Sequence, residues 1–134
     1  MALTKNETGI TWSASSSKSV TAAATDTSDA ATLDATDFAG SIQVTADNNG
    51  TPASGDTVDC YIAWTLDGTT YDTTEHAQWI CRLNTYPTNT PGEDPANKTI
   101  TLDVAGKYGL KLITTNNAGS NGITVTAKLL THRG

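Results

Sequence analysis

Apolar and polar residues alternate along much of the chain, a pattern typical of β-strands that bury one face. The alternation is clearest near the C-terminus, where Ile123, Val125, Ala127 and Leu129 are separated by threonines and a lysine. The segments KTITLDV (98–104) and GLKLITT (109–115) precede it with the same period of two. Three successive strands are therefore predicted to close the chain.

The middle of the chain predicts a hairpin. VDCYIAW (58–64) places Val58, Cys60, Ile62 and Trp64 on one face, and the dipeptide Asp-Gly at 67–68 follows it. Asp-Gly tolerates the positive φ of tight hairpin turns, so the return is expected to begin at Tyr71. HAQWICRL (76–83) and SIQVTAD (41–47) are two more apolar runs of strand length.

The stretch 11–40 is built mostly of Ser, Thr, Ala and Asp and has few large apolar side chains. Short alternations around Ile10 and Trp12 and around Val20 predict thinly packed strands. Disorder is the alternative, chiefly at residues 1–8 as a flexible N-terminal arm. A helix at 22–37 is disfavoured because Thr, Ser and Asp compete for backbone hydrogen bonds.

Composition supports an all-β fold. Threonine occurs 26 times, and β-branched residues favour a pleated, half-buried surface. The count is about eight short strands separated by turn signals, which is typical of a two-sheet antiparallel sandwich or jelly roll. Residues 1–134 are expected to form a single domain, since this length suits one core.

Charge and hydropathy exclude several partners. The net charge is −6, and residues 1–67 carry two Lys against nine acidic residues. An acidic chain without a basic cluster repels phosphate backbones, so nucleic acid is not expected as a partner. No apolar run approaches the ~20 residues of a membrane span, and the N-terminus does not have the pattern of a secretory signal.

No residue pattern predicts catalysis, a cofactor or a metal. His76 and His132 are far apart in sequence, and no motif fixes a nucleophile near either one. The segment that carries Asp26, Asp29, Asp34 and Asp37 lacks the glycine and closing glutamate of a calcium loop, and these residues are interpreted as strand-end carboxylates. Cys60 and Cys81 are not spaced as zinc ligands. They are either free thiols in the core or one bridge between neighbouring strands.

The three Trp and four Tyr residues include candidates for a platform on which sugar rings could stack. Trp64 and Trp79 lie inside apolar strands and are assigned to the core, which leaves Trp12 and Tyr86 as the freer candidates. Tyr86 and Pro87 begin the segment NTYPTNTPGEDPAN (84–97), which is predicted to be the longest loop. These two residues are candidate partner contacts.

Three segments in this order resemble a group of small structural proteins of tailed bacteriophage virions: TDTSDAATLDATDFAG (25–40), LDGTTYD (66–72) and YGLKLITTNNAGSNGITVTAKL (108–129). The similarity extends over nearly the whole chain, although each motif is strand and turn chemistry. The chain departs from the group in its two cysteines and in the proline-rich segment 84–97.

The resemblance implies a non-enzymatic virion protein made in the bacterial cytoplasm, most simply a capsid decoration (cement) protein. It would bind the major capsid protein or other virion proteins as a homo-oligomer on the outer surface of the head and stabilise it. The N-terminal segment MALTKNETGITW could act as a donated strand, anchored by Leu3, Ile10 and Trp12; an ordinary first strand of its own sheet is the alternative. A phage tail or head–tail protein and a carbohydrate-binding module are the rival functions.

Overall fold

The computed structural model describes residues 3–86 and 94–134. The strands in these residues are β1 (Thr4–Gly9), β2 (Lys18–Val20), β3 (Thr25–Thr27), β4 (Ala31–Thr32), β5 (Asp37–Asn48), β6 (Thr57–Thr65), β7 (Gln78–Asn84), β8 (Ala96–Leu102), β9 (Gly109–Asn116) and β10 (Ile123–Arg133). A 3-10 turn, Thr74–His76, precedes β7.

The strands form two antiparallel sheets of five strands each. The first sheet has the order β1-β10-β5-β8, with β2 also paired to β10. The second has the order β3-β9-β6-β7, with β4 also paired to β9. The predicted all-β, two-sheet sandwich is therefore confirmed.

The core lies between the inner faces of the two sheets. Ile42, Ile62, Leu112 and Val125 are fully buried there, and each belongs to an alternating segment of the sequence. Because alternate residues of a strand point to opposite faces, the period of two buries one set and leaves the other outside. The three strands predicted to close the chain are confirmed as β8, β9 and β10, with β9 in the opposite sheet from the other two.

The described residues form ten strands, more than the eight or so predicted. The stretch 11–40 accounts for the difference, because it contributes three strands of only two or three residues. The sequence predicts a strand around Ile10 and Trp12, and this predicted position is wrong. The strand is β1, which includes most of residues 1–8, and it ends at Gly9. Trp12 instead pairs with Ser15 across a tight turn.

A β-bulge in β7 corrects the assignment of Trp79. Cys60 faces Cys81, but the next residue, Tyr61, faces Trp79, so Ile80 is an extra residue in β7. The extra residue reverses the alternation: Ile80 and Cys81 are both buried, and Trp79 is 57% exposed on the outer face. Trp64 is in the core as predicted.

The predicted turn at Asp67-Gly68 is present, and Gly68 has a φ of +80°. Tyr71 makes only an isolated bridge to Thr65, however, and the return strand β7 starts later, at Gln78. None of the helical structure in the described ranges is long or apolar enough to cross a membrane.

Candidate interaction surface

One end of the sandwich collects most of the exposed apolar side chains. In the first sheet Thr4 and Asp37 both pair with Arg133, and in the second Thr65 pairs with Gly109. Asp37 lines the same depression as Leu66 and Tyr108, so these two sheet ends adjoin. Of the six large apolar side chains exposed among the described residues, four lie at this end, which we call the apolar end: Leu3, Phe38, Leu66 and Tyr108. Exposed apolar patches of this kind mark binding surfaces.

Leu66 and Tyr108 form the centre of the apolar end. They are 76% and 50% exposed, and they line one depression of about 310 Å³ with Leu33. The backbone N–H of Tyr108 donates to the carbonyl of Thr65 (2.9 Å). Both side chains are therefore mounted on strand ends that a hydrogen bond ties together.

Gly68 allows Tyr108 its position. A Cβ added at Gly68 would lie 2.5 Å from Cε1 of the Tyr108 ring, closer than carbon atoms can approach. The positive φ of Gly68 also disfavours any residue with a Cβ. The Asp-Gly dipeptide thus serves both the turn and the packing of an exposed aromatic ring.

The turn that presents Leu66 is held by Asp67. Its Oδ1 accepts hydrogen bonds from the Thr65 hydroxyl (3.1 Å) and from the backbone N–H groups of Thr69 and Thr70 (2.8 Å each). The N–H bond from Thr70, followed by that from Thr69, lowers the pKa of Asp67 to about 2. A carboxylate that stays ionised keeps accepting these bonds, so the turn is fixed at neutral pH.

A second recess of about 510 Å³ adjoins the first and shares Leu66 with it. Trp64, Tyr71 and Lys107 also line it. The ammonium of Lys107 lies 5.0 Å from the centre of the Trp64 ring, within the range of a cation–π contact. The apolar end therefore has an apolar centre and a charged margin, as protein interfaces do.

Arg133 and Asp37 form an ion pair near the apolar end. Nε of Arg133 donates to Asp37 Oδ1 at 2.8 Å, and Asp37 Oδ2 accepts from the backbone N–H of Asp34 at 2.8 Å. Asp37 is buried, and each of its two carboxylate oxygens accepts a hydrogen bond from within the chain. The apolar side chains of Leu66 and Tyr108 remain exposed at this end.

The opposite end of the sandwich carries a network of buried polar side chains. Asn48, Asp56, Thr85 and Asn116 are all buried, and each has hydrogen-bond partners. Asn121 joins the network by donating to Asp56 (3.1 Å). We call this the polar end.

The five predicted partner contacts do not lie together. Leu3 is exposed at the apolar end, and Tyr86 is partly exposed after β7, toward the polar end. Ile10 and Trp12 are buried in the core of this chain, where no partner can reach them without unfolding. Pro87 lies outside the described residues. Leu66, Tyr108 and Phe38 were missed because they occur in turn segments and at a strand end, where periodicity gives no signal.

Trp12 is only 4% exposed, which reverses its expected role as a free aromatic. Asp29 explains the position of Trp12. The Asp29 carboxylate accepts hydrogen bonds from the Thr11 hydroxyl (2.7 Å) and from the backbone N–H groups of Ser13 (3.0 Å) and Ala14 (2.9 Å). Ser13 and Ala14 have positive φ values, 47° and 65°. The carboxylate thus fixes a strained turn that folds Trp12 inward.

The two histidines and Asp34 contact neighbouring groups of this chain. His76 is exposed on the 3-10 turn and bonds to the Thr73 hydroxyl (2.9 Å), while the His132 ring lies 6.4 Å from that of Phe38. Asp34 accepts from the N–H and hydroxyl of Thr36 (2.9 and 2.7 Å). Across residues 3–86 and 94–134, His, Cys, Asp and Glu side chains form no group of three or more that could hold a metal ion.

Comparison with known proteins gives a structural likeness without a sequence relative. No protein-family model matches the chain, and no curated protein matches it. A chain of the acidic stable capsid structure of Helicobacter pylori bacteriophage KHP30 is similar, with a TM-score of 0.51 and 12% identity over 98% of this chain and 93% of that one. The SPBc2 prophage-derived protein YomS has a TM-score of 0.49 and 12% identity over 96% and 95% of the two chains.

The infectious bursal disease virus VP2 subviral particle has a TM-score of 0.49 and 15% identity over 96% of this chain and 37% of that one. At such identities the likeness concerns the fold. Of the three, the KHP30 chain alone has a TM-score above 0.5. This chain therefore has a distant structural similarity to a chain of a phage capsid, over nearly the full length of both.

Proposed function

We propose that this protein is a non-enzymatic structural component of a phage virion, and specifically a capsid decoration (cement) protein. It binds the outer surface of the head through its apolar end and stabilises the shell. The resemblance of its strand and turn motifs to small virion proteins supports this function. The fold shared with a capsid chain of nearly the same length supports it as well.

The observation that carries the proposal is the exposure of Leu66, beside the turn that Asp67 holds, and of Tyr108, whose backbone is hydrogen-bonded to the end of β6. Fully burying a Leu side chain is worth about 1.5–3 kcal/mol relative to leaving it in water. Preorganised apolar anchors with a charged margin are the usual centre of a protein interface. Attachment by shape and apolar contact needs no reactive residue.

Reconstitution of heads that lack the protein tests the proposal. Purified protein is added to such heads, and binding and resistance to heat are measured. Leu66→Ala and Tyr108→Ala are each expected to weaken binding about tenfold, the loss of about 1.4 kcal/mol. Trp79→Ala, at an exposed aromatic on the outer face of the second sheet, is the matched control and should bind as the unchanged protein does.

Electron microscopy of the decorated heads distinguishes a head decoration protein from a tail or head–tail protein. A decoration protein occupies regular positions over the whole shell, whereas a tail or head–tail component forms a single ring. Binding to tails and not to heads would instead identify the protein as a tail or head–tail component. The proposed homo-oligomer is checked by sedimentation of the purified protein.

Carbohydrate binding is a second candidate because of Trp79. This ring is exposed on the outer face of the second sheet, directly opposite Tyr61 on the neighbouring strand. Two adjacent aromatic side chains on a flat sheet provide a stacking surface for sugar rings. Quenching of tryptophan fluorescence by a saturating glycan, lost in Trp79→Ala and kept in Leu66→Ala, would favour this function over capsid attachment.

A further inference from the structure

Two cysteines lie directly opposite each other in the core. Cys60 in β6 and Cys81 in β7 are Cα partners in the antiparallel register, and both are free thiols. Their chain neighbours Asp59 and Arg82 form a two-pronged ion pair, with Nε to Oδ1 at 2.7 Å and Nη2 to Oδ2 at 2.9 Å. Side chains alternate across a strand, so this pair lies on the outer face while the thiols point together into the core.

The strand geometry suits a covalent bond between the sulfurs. Directly opposed residues of antiparallel strands have Cα atoms roughly 4.5–5.5 Å apart, and disulfides span Cα distances of about 4.4–6.8 Å. The interaction between the two thiols raises the pKa of Cys60 and lowers that of Cys81. The register therefore places both thiols on the core face, at a Cα separation that a disulfide can span.

We propose that Cys60 and Cys81 form a reversible disulfide site that small-molecule disulfides oxidise. The bond would join β6 to β7 across the hairpin whose connection carries Leu66 and Asp67. It would therefore close residues 60–81, which include the turn at the apolar end, into one covalent loop. This inference rests on the register and burial of the two thiols and is independent of the proposed function.

The reaction needs an external oxidant, here an aliphatic disulfide such as oxidised glutathione. The Cys81 thiolate attacks one sulfur of the reagent, forms a mixed disulfide and releases one glutathione thiolate. Cys60 then gives its proton to solvent and attacks the Cys81 sulfur, which releases the second glutathione thiolate. Two protein thiols are oxidised by two electrons, and the reagent disulfide is reduced to two thiols.

Access to the buried thiols comes from the position of β7. Among the described strands, β7 is paired only with β6, so it is an edge strand of its sheet. The bulge at Ile80 disrupts the ladder directly beside Cys81. Edge strands open locally at lower cost than central strands, which gives the oxidant a route that does not require global unfolding.

The test compares the purified full-length protein in dithiothreitol and in oxidised glutathione. After oxidation, mass spectrometry should show the loss of two hydrogen atoms and a peptide pair that joins Cys60 to Cys81. The Tm should rise by about 10 °C, because the bond closes a loop of about twenty residues. Dithiothreitol should return both mass and Tm to their starting values.

Variants separate this bond from other effects of the oxidant. Cys60→Ala should leave a glutathione adduct on Cys81, and the double variant Cys60→Ala/Cys81→Ala should show a Tm that does not respond to glutathione. A second arm refolds the unchanged protein from urea in a glutathione redox buffer, so that slow opening of β7 cannot hide the reaction. Two free thiols or two adducts after refolding, a disulfide between two chains, or a Tm that does not rise would each overturn the proposal.

Discussion

Asp56 is the residue whose removal should most weaken the polar end. It is 3% exposed, and its Oδ2 accepts from the Asn48 amide (3.0 Å), the Ala53 backbone N–H (3.0 Å) and the Asn121 amide (3.1 Å). These donors come from the end of β5, the β5–β6 turn and the β9–β10 loop. One carboxylate oxygen thus ties three segments together, and Asp56→Ala removes it.

The magnitude follows from the donors that are left behind. A hydrogen bond to a charged group contributes about 1.5–3 kcal/mol net, and a buried donor without a partner costs about 1–3 kcal/mol. Three bonds that share one oxygen are not additive, and water can enter at an end of the sandwich. The expected loss is about 3 kcal/mol of unfolding free energy, a large share of the 5–15 kcal/mol typical of a domain.

Asp56→Asn is the matched control. All three donors converge on a single oxygen, and asparagine can keep an amide oxygen at that position while losing only the charge. Its expected cost is about 1 kcal/mol. Urea unfolding followed by tryptophan fluorescence measures both variants, and equal m-values make the difference in midpoint a difference in stability.

The pH dependence provides an independent check. Burial alone would raise the pKa of Asp56, but the bonds from Ala53, Asn48 and Asn121 outweigh it and lower the pKa. The carboxylate therefore stabilises the fold fully above its unfolded pKa of about 3.9, and this contribution is lost as pH falls through the lower folded value. Equal stability of Asp56→Ala and the unchanged protein at pH 7, or equal damage by Ala and Asn, would refute the reasoning.

Three further predictions concern single positions. The Asp67 carboxyl should titrate with a pKa of about 2 by NMR; since its folded pKa is lowered, order in its turn should persist above about pH 4 and fade toward pH 2. Ile62→Ala, at a fully buried site, should cost about 3 kcal/mol in urea unfolding and Ile62→Val about 1 kcal/mol, and equal costs would contradict the cavity argument. Gly109→Ala would place a Cβ 2.7 Å from the carbonyl oxygen of Ala31 and should lower the Tm, whereas Gly9→Ala, with open space around it, should leave the Tm nearly unchanged.

The sequence predicts the central strands well because each of them has one face in the core. β5, β6, β9 and β10 are long, alternate clearly and pair on both sides. β1 at Thr4–Gly9 agrees with the alternative of an ordinary first strand in its own sheet, although TKNETG has no large apolar residue and so gives no alternation to place it. It is a strand because it pairs with the free edge of β10. Edge pairing is a tertiary effect that a local pattern does not contain.

The candidate surface is less predictable for three physical reasons. A single extra residue, Ile80, reverses the faces of β7, so Trp79 points outward although the sequence alternates as a buried strand. Trp12 is buried by a turn that depends on Asp29, seventeen residues away. Leu66 and Tyr108 are neighbours only because β6 and β9 pair in this register. Among the predicted contacts that lie in residues 3–86 and 94–134, Leu3 is the one at the apolar end.

The two ends of the sandwich differ in what they leave for a partner. At the polar end, Asp56 and Asn116 already bond to groups within this chain, so a partner there would have to displace existing hydrogen bonds. At the apolar end, Arg133 and Asp37 bond to each other, and Leu66 and Tyr108 remain in contact with water. Covering these two side chains gains free energy from the hydrophobic effect. Attachment by one end, with the other facing solvent, is therefore the arrangement that the distribution of side chains favours.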